Sequence, residues 1–398
     1  MIIMKSSRMK PVISGCMLML FLGSIFSWSV FKKPLQQAFG WNDSELSWPF
    51  MICMICFTAG NILAAKLSKK CKHRYIIWMS GLIAFAGLFM ASRCSAPWQL
   101  NISYGVCMGI AVGMSYNCII SSGGAWFADK PGTITGVTMM SFGCGSLIFA
   151  PLDNYLLATI GWSNTFLALG VAFLLSALVC GCFISMPPAD YVCPPPKKKS
   201  VETVGEDYTT DQMLRQPKFW LLLTWAIAGA TVGYSVINQV FMIANSIGIN
   251  DVASSLAVSL VSISNGISRV LSGKIADEKG IGWEMGMISV LLVLSMLCLI
   301  PAINNGMHWL LFVGMGLFGM GFGAISPTIA NVVRSLYGSK YFAMNYSMLN
   351  FNSVGGSLIS QIVSGYVLTV TGSYLSMMFC VCAVVAVIVL TNILVIRK

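Results

Sequence analysis

The sequence predicts an all-α integral membrane protein whose twelve transmembrane helices form two pseudo-symmetric halves of six. Composition is the first reason, because 57% of the 398 residues are hydrophobic, only 9% are charged and the mean hydropathy is +0.79. A water-soluble chain of this length carries far more charge. The second reason is a series of long apolar runs, and the third is a polar segment that divides the runs into two equal sets.

A helix crosses about 30 Å of hydrocarbon with roughly 20 apolar residues, and runs of this length recur along the whole chain. The first run follows Lys5, Arg8 and Lys10, but it is longer than the core of a secretory signal and lacks a matching cleavage site, so we expect a retained helix. The predicted helices cover residues 11–31, 47–68, 75–93, 98–127, 133–157, 163–186, 217–243, 252–276, 283–302, 306–334, 339–370 and 372–396.

The net charge of +11 is explained by membrane topology and does not indicate nucleic acid as a partner. Nearly all lysines and arginines fall in loops on one side of the predicted membrane, whereas Lys32, Lys33 and Arg93 fall on the other. By the positive-inside rule, we expect both termini and the central linker to be cytoplasmic. The expected location is therefore the cell (plasma or inner) membrane, with the lipid bilayer as the surrounding partner.

The sequence offers no pattern typical of an enzyme, a metal site or a cofactor site. The fourteen cysteines lie mostly within apolar runs, and no Cys/His group has the spacing of a zinc site. Glycine clusters in helices five and ten are not preceded by a strand and are not followed by Gly-Lys-Ser/Thr, so they predict close helix packing and not a nucleotide site. We expect no catalytic residues, no metal and no cofactor.

Residues 187–216 form the polar segment, which contains several prolines, three consecutive lysines and then an acidic stretch. Segments of this composition connect structured units. We therefore expect an N-terminal six-helix half at 1–186, a cytoplasmic linker at 187–216 and a C-terminal six-helix half at 217–398.

This six-plus-six layout resembles the major facilitator superfamily, in which two halves surround a central cavity and rock against each other. Residues 273–280 read GKIADEKG, which is similar to the superfamily's cytoplasmic loop motif. The resemblance implies that Gly273 and Asp277 take part in gating. In the corresponding loop of the first half, Lys69 stands where the motif has its aspartate.

Several segments, in order, resemble the oxalate/formate antiporter family within that superfamily. They are residues 28–35 (WSVFKKPL), 39–45 (FGWNDSE), 125–132 (AWFADKPG), 213–220 (MLRQPKFW), 265–269 (NGISR) and 336–346 (LYGSKYFAMNY). The resemblance implies a further gating pair, Asp129 and Lys130. It also implies transport of a small organic anion.

Members of that family are similar in binding a carboxylate between an arginine of helix eight and a lysine of helix eleven. Arg269 matches the arginine, but the lysine position falls at Ser353. A single fixed positive charge balances a monoanion better than a doubly charged oxalate. The resemblance and this departure together favour a monocarboxylate as the cargo.

Arg269 is the one Lys or Arg that the sequence places deep in a predicted helix. An ionised arginine in lipid costs about 2.5–3.5 kcal/mol on insertion scales, so such residues usually face a cavity or a partner; the alternative is that the long side chain reaches toward the cytoplasmic interface. Polar residues at steps of three or four on helix eight, with others on helices one, four, seven and eleven, complete a candidate site. Its members are Arg269, Asn265, Ser262, Ser353, Asn350, Tyr346, Tyr234, Asn238, Tyr116 and Trp28.

The acidic residues bear on energy coupling. All but one fall in predicted loops or at helix ends, the exception being Asp153 near the outer end of helix five. Asn265, one turn before Arg269, is not the aspartate that proton-linked monocarboxylate carriers have beside their arginine. The sequence therefore favours exchange or uniport by alternating access. Because we expect one cavity per chain, a functional monomer is the simplest expectation. Two alternatives stay open: carriage of a different, amphipathic or cationic, substrate, and a membrane sensor that binds ligand without moving it.

Overall fold

The computed structural model describes residues 2–188, 190–194 and 206–396, all as helices and connecting loops without strands. Residues 195–205, the middle of the predicted linker, lie outside this description. Eleven long apolar helical elements are present among the described residues, and one of them contains two helices, which gives the predicted twelve. We label them α1 (Arg8–Ser27), α2 (Glu45–Leu67), α3 (His73–Ala91), α4 (Pro97–Trp126), α5 and α6 (together Pro131–Gly181), α7 (Pro217–Ile237), α8 (Val252–Lys279), α9 (Ile281–Asn305), α10 (His308–Tyr337), α11 (Phe342–Thr371) and α12 (Tyr374–Val395).

Gly161 separates α5 from α6. Its backbone has φ 76° and ψ 169°, a conformation that is open to glycine and costly for residues with a side chain. Because Gly161 falls between the predicted fifth and sixth helices, the 51-residue element is a pair of spanning helices joined by a sharp corner. The fold class predicted from the sequence is thus confirmed.

Polar side chains fix several helix ends. Asn42 and Glu45 form a reciprocal cap at the start of α2, in which the Asn42 Oδ1 accepts from the Glu45 N–H at 2.8 Å and the Glu45 carboxylate accepts from the Asn42 N–H at 2.9 Å. At the start of α8, the Asn250 Oδ1 accepts from the Ala253 N–H at 2.9 Å. Caps of this kind satisfy amide groups that the first helical turn leaves without partners.

Four of the spanning helices are interrupted, and three candidate site residues, Trp28, Asn238 and Asn350, lie at interruptions. α1 tightens into a 3-10 turn at Gly23–Ser27, and α4 opens with a π-helix at Asn101–Met108. α7 ends at Ile237 and is followed by a short helix at Val240–Ser246. α11 pauses at Asn350 and contains a second π-helical stretch at Gln361–Tyr366. Irregular turns leave backbone groups outside the regular helix ladder, and such turns frequently mark functional sites.

Contacts divide the chain into two compact units, Met1–Pro195 and Pro196–Lys398. In the first unit α1 packs on α5 and α2 packs on α4. The contact of α1 with α5 is very close, because a Cβ added at Gly145 would lie 2.4 Å from the Leu20 carbonyl oxygen. This agrees with the close packing predicted from the glycines of helix five.

In the second unit α8 and α9 both pack on α10, and α7 packs on α11 and α12. A Cβ added at Gly323 of α10 would lie 2.3 Å from the carbonyl oxygen of Asn265. Only glycine allows the two backbones to come this near. The glycine cluster of helix ten therefore sets the position of the α8 segment that carries Asn265 and Arg269.

Candidate functional site

Arg269 of α8 is held in place by its neighbour one turn earlier. Its Nε donates to the Asn265 Oδ1 at 3.1 Å. Asn265 is 7% exposed and its backbone is seated against Gly323, whereas Arg269 itself is half-buried. The amide therefore orients the guanidinium from a rigid position, while part of the arginine side chain stays accessible.

Residues from α7 and α11 meet near this arginine. The Tyr234 hydroxyl of α7 lies within hydrogen-bonding reach of the Ser353 hydroxyl of α11, and Tyr234 also interacts electrostatically with Arg269. Ser353 follows the interruption of α11 at Asn350, and its hydroxyl is 3.5 Å from the Asn352 Oδ1. The structure thus brings four predicted residues, Arg269, Asn265, Tyr234 and Ser353, into one cluster within the second unit. We call them the arginine cluster.

The arginine cluster has the chemistry of an anion site. A guanidinium presents a planar fork of N–H donors that matches the two oxygens of a carboxylate. Hydroxyl groups can donate to the same oxygens and replace part of the water that an anion loses on entering the protein. A small carboxylate is the kind of molecule that this combination of groups can bind.

Four other predicted residues of the second unit lie in different surroundings. Ser262 is exposed and its hydroxyl donates to the Val258 carbonyl of its own helix at 3.0 Å. Asn238 is exposed at the end of α7, and Asn350 is 6% exposed at the interruption of α11. Tyr346 is 2% exposed, stacks on Phe342 at 5.3 Å and interacts with Arg334.

Trp28 and Tyr116 belong to the first unit. The Trp28 indole N–H donates to the Leu46 carbonyl at 2.7 Å, and its ring lies 4.3 Å from that of Tyr104. Tyr116 is 5% exposed and contacts the rings of Phe57 and Phe142. Within this unit both side chains are packing residues, and their role toward a ligand stays a prediction.

Two of the four predicted gating residues lie in each unit. In the first unit, Asp129 forms an ion pair with Arg8, at 3.1 Å and 3.4 Å from its two oxygens, while the neighbouring Lys130 is exposed. In the second unit, Gly273 is buried and Asp277 interacts electrostatically with Arg334. The gating role itself stays a prediction.

Sequence reasoning did not identify the two arginines of these groups. In the sequence, Arg8 is one of three basic residues that precede the first apolar run, and nothing there indicates a partner for it. Arg334 is 8% exposed and lies 4.0 Å over the Phe342 ring, whereas the predicted tenth helix ends at this residue and places it at the boundary of a loop. A predicted boundary one turn too early concealed its burial, because α10 extends to Tyr337.

The burial of two acidic residues was also underestimated from the sequence. Asp153 is fully buried beside Ser27, and Glu284, which had been counted as a helix-end acid, is fully buried as well. The Glu284 Oε1 accepts from the Asn331 side-chain amide at 3.0 Å and from the Ser272 hydroxyl. Ser272 therefore bonds to Glu284, so the polar stripe of α8 divides between this acid and the arginine cluster. The pairing of Ser272 with the first turn of α9 could have been found only by aligning the two helices in space.

The chain matches a known sequence family over nearly its whole length. The profile of the Major Facilitator Superfamily matches residues 13–360 and 234–398. Relatives include the uncharacterised MFS-type transporter YhjX of Escherichia coli K12, which is 26% identical over 85% of this chain and 82% of that protein. Monocarboxylate transporter 2 of Homo sapiens is 24% identical, with 90% of this chain and 79% of that one covered. The oxalate:formate antiporter of Oxalobacter formigenes is 24% identical, with 84% and 78% covered.

Solved structures show the same fold. The outward conformation of the Major Facilitator Superfamily transporter FucP superposes with a TM-score of 0.70, covering 98% of this chain and 99% of that one at 14% identity. At an identity this low, the similarity shows a shared fold and nothing further. The six-plus-six architecture and the motif resemblance predicted from the sequence both agree with these comparisons.

Proposed function

The chain belongs to the Major Facilitator Superfamily, and from that premise we propose that it transports a small organic anion, with a monocarboxylate as the favoured cargo. The observation that carries the proposal is the arginine cluster: a half-buried guanidinium fixed by Asn265, with Tyr234 and Ser353 beside it. Transport would proceed by alternating access, as exchange or uniport.

The charge of the arginine cluster supports a monoanion. Arg269 supplies one positive charge, and Ser353 occupies the position where the resembled family has a second. A monocarboxylate neutralises Arg269, so the loaded carrier changes conformation without an uncompensated buried charge. A dicarboxylate would leave one negative charge without a fixed partner.

The named relatives support the same class of cargo. One is described as a monocarboxylate transporter and another as an oxalate:formate antiporter, and formate is itself a monocarboxylate. The chain covers more than three quarters of each of these proteins. We extend to this chain only the shared chemistry, a small carboxylate.

The remaining assignments complete the proposal. Asn350, Tyr346, Asn238, Ser262, Tyr116 and Trp28 would contact the substrate or shape its path, and the groups at Asp129, Lys130, Gly273 and Asp277 would govern closure. Both termini would be cytoplasmic, with the linker at 187–216 between halves at 1–186 and 217–398. One chain would be sufficient for activity.

Counterflow in proteoliposomes tests the proposal. Vesicles preloaded with formate, acetate, lactate or oxalate would be mixed with the labelled compound, using the wild type, Arg269→Gln and the matched control Arg93→Gln. Arg93 is exposed and is not a member of the arginine cluster, so its loss removes the same charge without changing the cluster. We expect monocarboxylate exchange in the wild type and the control and its loss in Arg269→Gln.

Other results would identify an alternative or contradict the proposal. Equal exchange in all three proteins would remove Arg269 from the mechanism. Carboxylate binding without flux would favour a sensor. Absence of both binding and flux would point to a different, amphipathic or cationic, substrate.

A further inference from the structure

A buried acidic residue of the first unit has no basic partner among the residues that the structure describes. Asp153 of α5 is fully buried, and its Oδ2 lies 2.5 Å from the Ser27 Oγ of α1. Its other oxygen, Oδ1, has no hydrogen-bond partner among the described residues. No lysine, arginine or histidine in the described part of the chain forms an ion pair with it. A carboxyl group in this position is unusual and calls for an explanation.

The hydrogen bonds of Ser27 are consistent with a neutral acid. The Ser27 Oγ lies 2.7 Å from the Ser24 carbonyl as well as 2.5 Å from Asp153. A hydroxyl has one hydrogen to donate. If Asp153 were ionised, both neighbours would be acceptors and one short contact would lack a hydrogen. If Asp153 carries a proton, it donates to Ser27 and Ser27 donates to Ser24, so both contacts are satisfied.

The titratable groups that face Asp153 from the neighbouring helices are weak acids. Tyr104 of α4 interacts with Asp153 electrostatically and donates from its hydroxyl to the Ile25 carbonyl at 3.3 Å. Cys53 of α2 is fully buried and interacts electrostatically with Tyr104. Neither group can compensate a negative charge, so the cost of burying an ionised carboxylate falls on Asp153 alone.

A small cavity adjoins Ser27. It has a volume of about 20 Å³, and its polar lining comes from Ser24, Ser27 and Tyr104. This is enough space for one water molecule, and the polar groups provide hydrogen-bond partners for it. Ser27 therefore contacts Asp153 on one side and a site suited to water on the other.

We propose that Asp153 is a proton-binding site and that one proton bound there accompanies the substrate anion during net transport. The O–H bond of the Asp153 carboxyl group breaks, its proton passes through the Ser27 hydroxyl to water, and Asp153 is left as a carboxylate until a proton returns on the other side. One monocarboxylate anion and one proton together carry no net charge. The inference rests on the proposed transport function and replaces simple uniport with proton-linked movement.

A comparison of exchange with net transport distinguishes a proton-binding role of Asp153 from a purely structural one. In exchange the carrier changes conformation only when loaded, so Asp153 need not lose its proton. In net transport the carrier returns empty, and the proton has to leave before it does. Asp153→Asn imitates the protonated acid and cannot release a proton.

The first test compares Asp153→Asn with the wild type and with Glu284→Gln, which removes the second fully buried acid among the described residues. In the wild type and Glu284→Gln, net uptake of labelled lactate should increase as the external pH falls. In Asp153→Asn, net uptake should fall at least about tenfold and lose its pH dependence, while counterflow stays within about twofold of the wild type. Unchanged pH dependence in Asp153→Asn, or its loss in Glu284→Gln instead, would overturn the proposal.

A second test needs no substrate. Infrared difference spectra of the purified protein between acidic and alkaline buffer should contain bands of protonated carboxyl groups, one of which disappears in Asp153→Asn and remains in Glu284→Gln. If that variant does not accumulate in the membrane, Ser27→Ala keeps the carboxyl group and should shift the same band. Absence of such a band in the wild type, or its persistence in Asp153→Asn, would refute the proton site. Absence of carboxylate flux in the wild type would instead refute the proposed function.

Discussion

Each half holds an ionisable side chain within a spanning helix, but the two side chains differ in how far they are buried. Arg269 in the C-terminal half is half-buried and is oriented by the Asn265 amide, with hydroxyl groups nearby. Asp153 in the N-terminal half is fully buried, with one hydroxyl contact and a cavity large enough for one water. A partly accessible guanidinium can meet a ligand of several atoms, whereas an enclosed carboxyl group can meet only a proton. The two proposals together place the charge that binds the substrate in the C-terminal half and the proton-binding acid in the N-terminal half.

The largest expected effect comes from reversing the charge of the arginine cluster. Arg269→Glu places a carboxylate where the substrate carboxylate should bind, and repulsion replaces attraction. Loss of a buried charge partner costs about 2–5 kcal/mol, so we expect counterflow of formate and lactate to fall at least about 30-fold. Detergent-solubilised protein should keep its elution profile, which shows that the fold survives. Transport at a tenth of the wild-type rate or more would contradict the division of roles.

Removing the Tyr234 hydroxyl should have an intermediate effect. Tyr234→Phe keeps the ring that contacts Phe322 but loses the group that faces Ser353 and Arg269. A hydrogen bond to a charged group contributes about 1.5–3 kcal/mol, so kcat/KM for the preferred monocarboxylate should fall roughly tenfold to 100-fold. Initial rates over a range of substrate concentrations measure this. An unchanged kcat/KM would remove Tyr234 from the arginine cluster.

A change of selectivity should follow from adding a second cation. Ser353→Lys restores the charge that the resembled family has at this position, whereas Ser353→Gln adds length without charge. We expect the ratio of oxalate to formate counterflow to rise about tenfold in the lysine variant and to change little in the glutamine variant. Equal ratios in both variants would show that the charge of the arginine cluster does not select the substrate.

The smallest effect is expected at the edge of the polar stripe. The Ser262 hydroxyl already donates to the Val258 carbonyl of α8, so we expect Ser262 to shape the substrate path without donating a hydrogen bond to the substrate. The KM and kcat of Ser262→Ala should remain within about twofold of the wild type. A larger loss would place Ser262 in direct contact with the substrate and extend the site along α8.

The architecture was more predictable than the site because it depends on long apolar runs. All twelve helices followed from these runs, including the pair that meets at Gly161, since hydrophobic length is a strong one-dimensional signal. Arg269 was predictable for a related reason, because a cation in an apolar run is conspicuous. The contact of Arg269 with Asn265 follows from helical periodicity alone.

Groups that lie far apart in the sequence were less predictable. The short contact between Ser27 and Asp153 joins two helices separated by 126 positions, and the Arg8–Asp129 ion pair joins residues 121 positions apart. Glu284 looked like an interfacial residue because it stands in the first turn of α9, and only its contacts with Ser272 and Asn331 reveal its burial. Such pairings depend on how helices are rotated about their axes, which periodicity does not determine across the chain.

Ligand-dependent stability of the purified protein tests the central claim most directly, because it measures binding without transport. A ligand at about 100 times its Kd stabilises the folded state by ~2.7 kcal/mol, which raises Tm measurably. We expect formate, acetate or lactate to raise the Tm of the wild type and of Arg93→Gln, and to leave that of Arg269→Gln unchanged. A carboxylate-dependent rise of equal size in Arg269→Gln would contradict the claim that Arg269 forms the anion site.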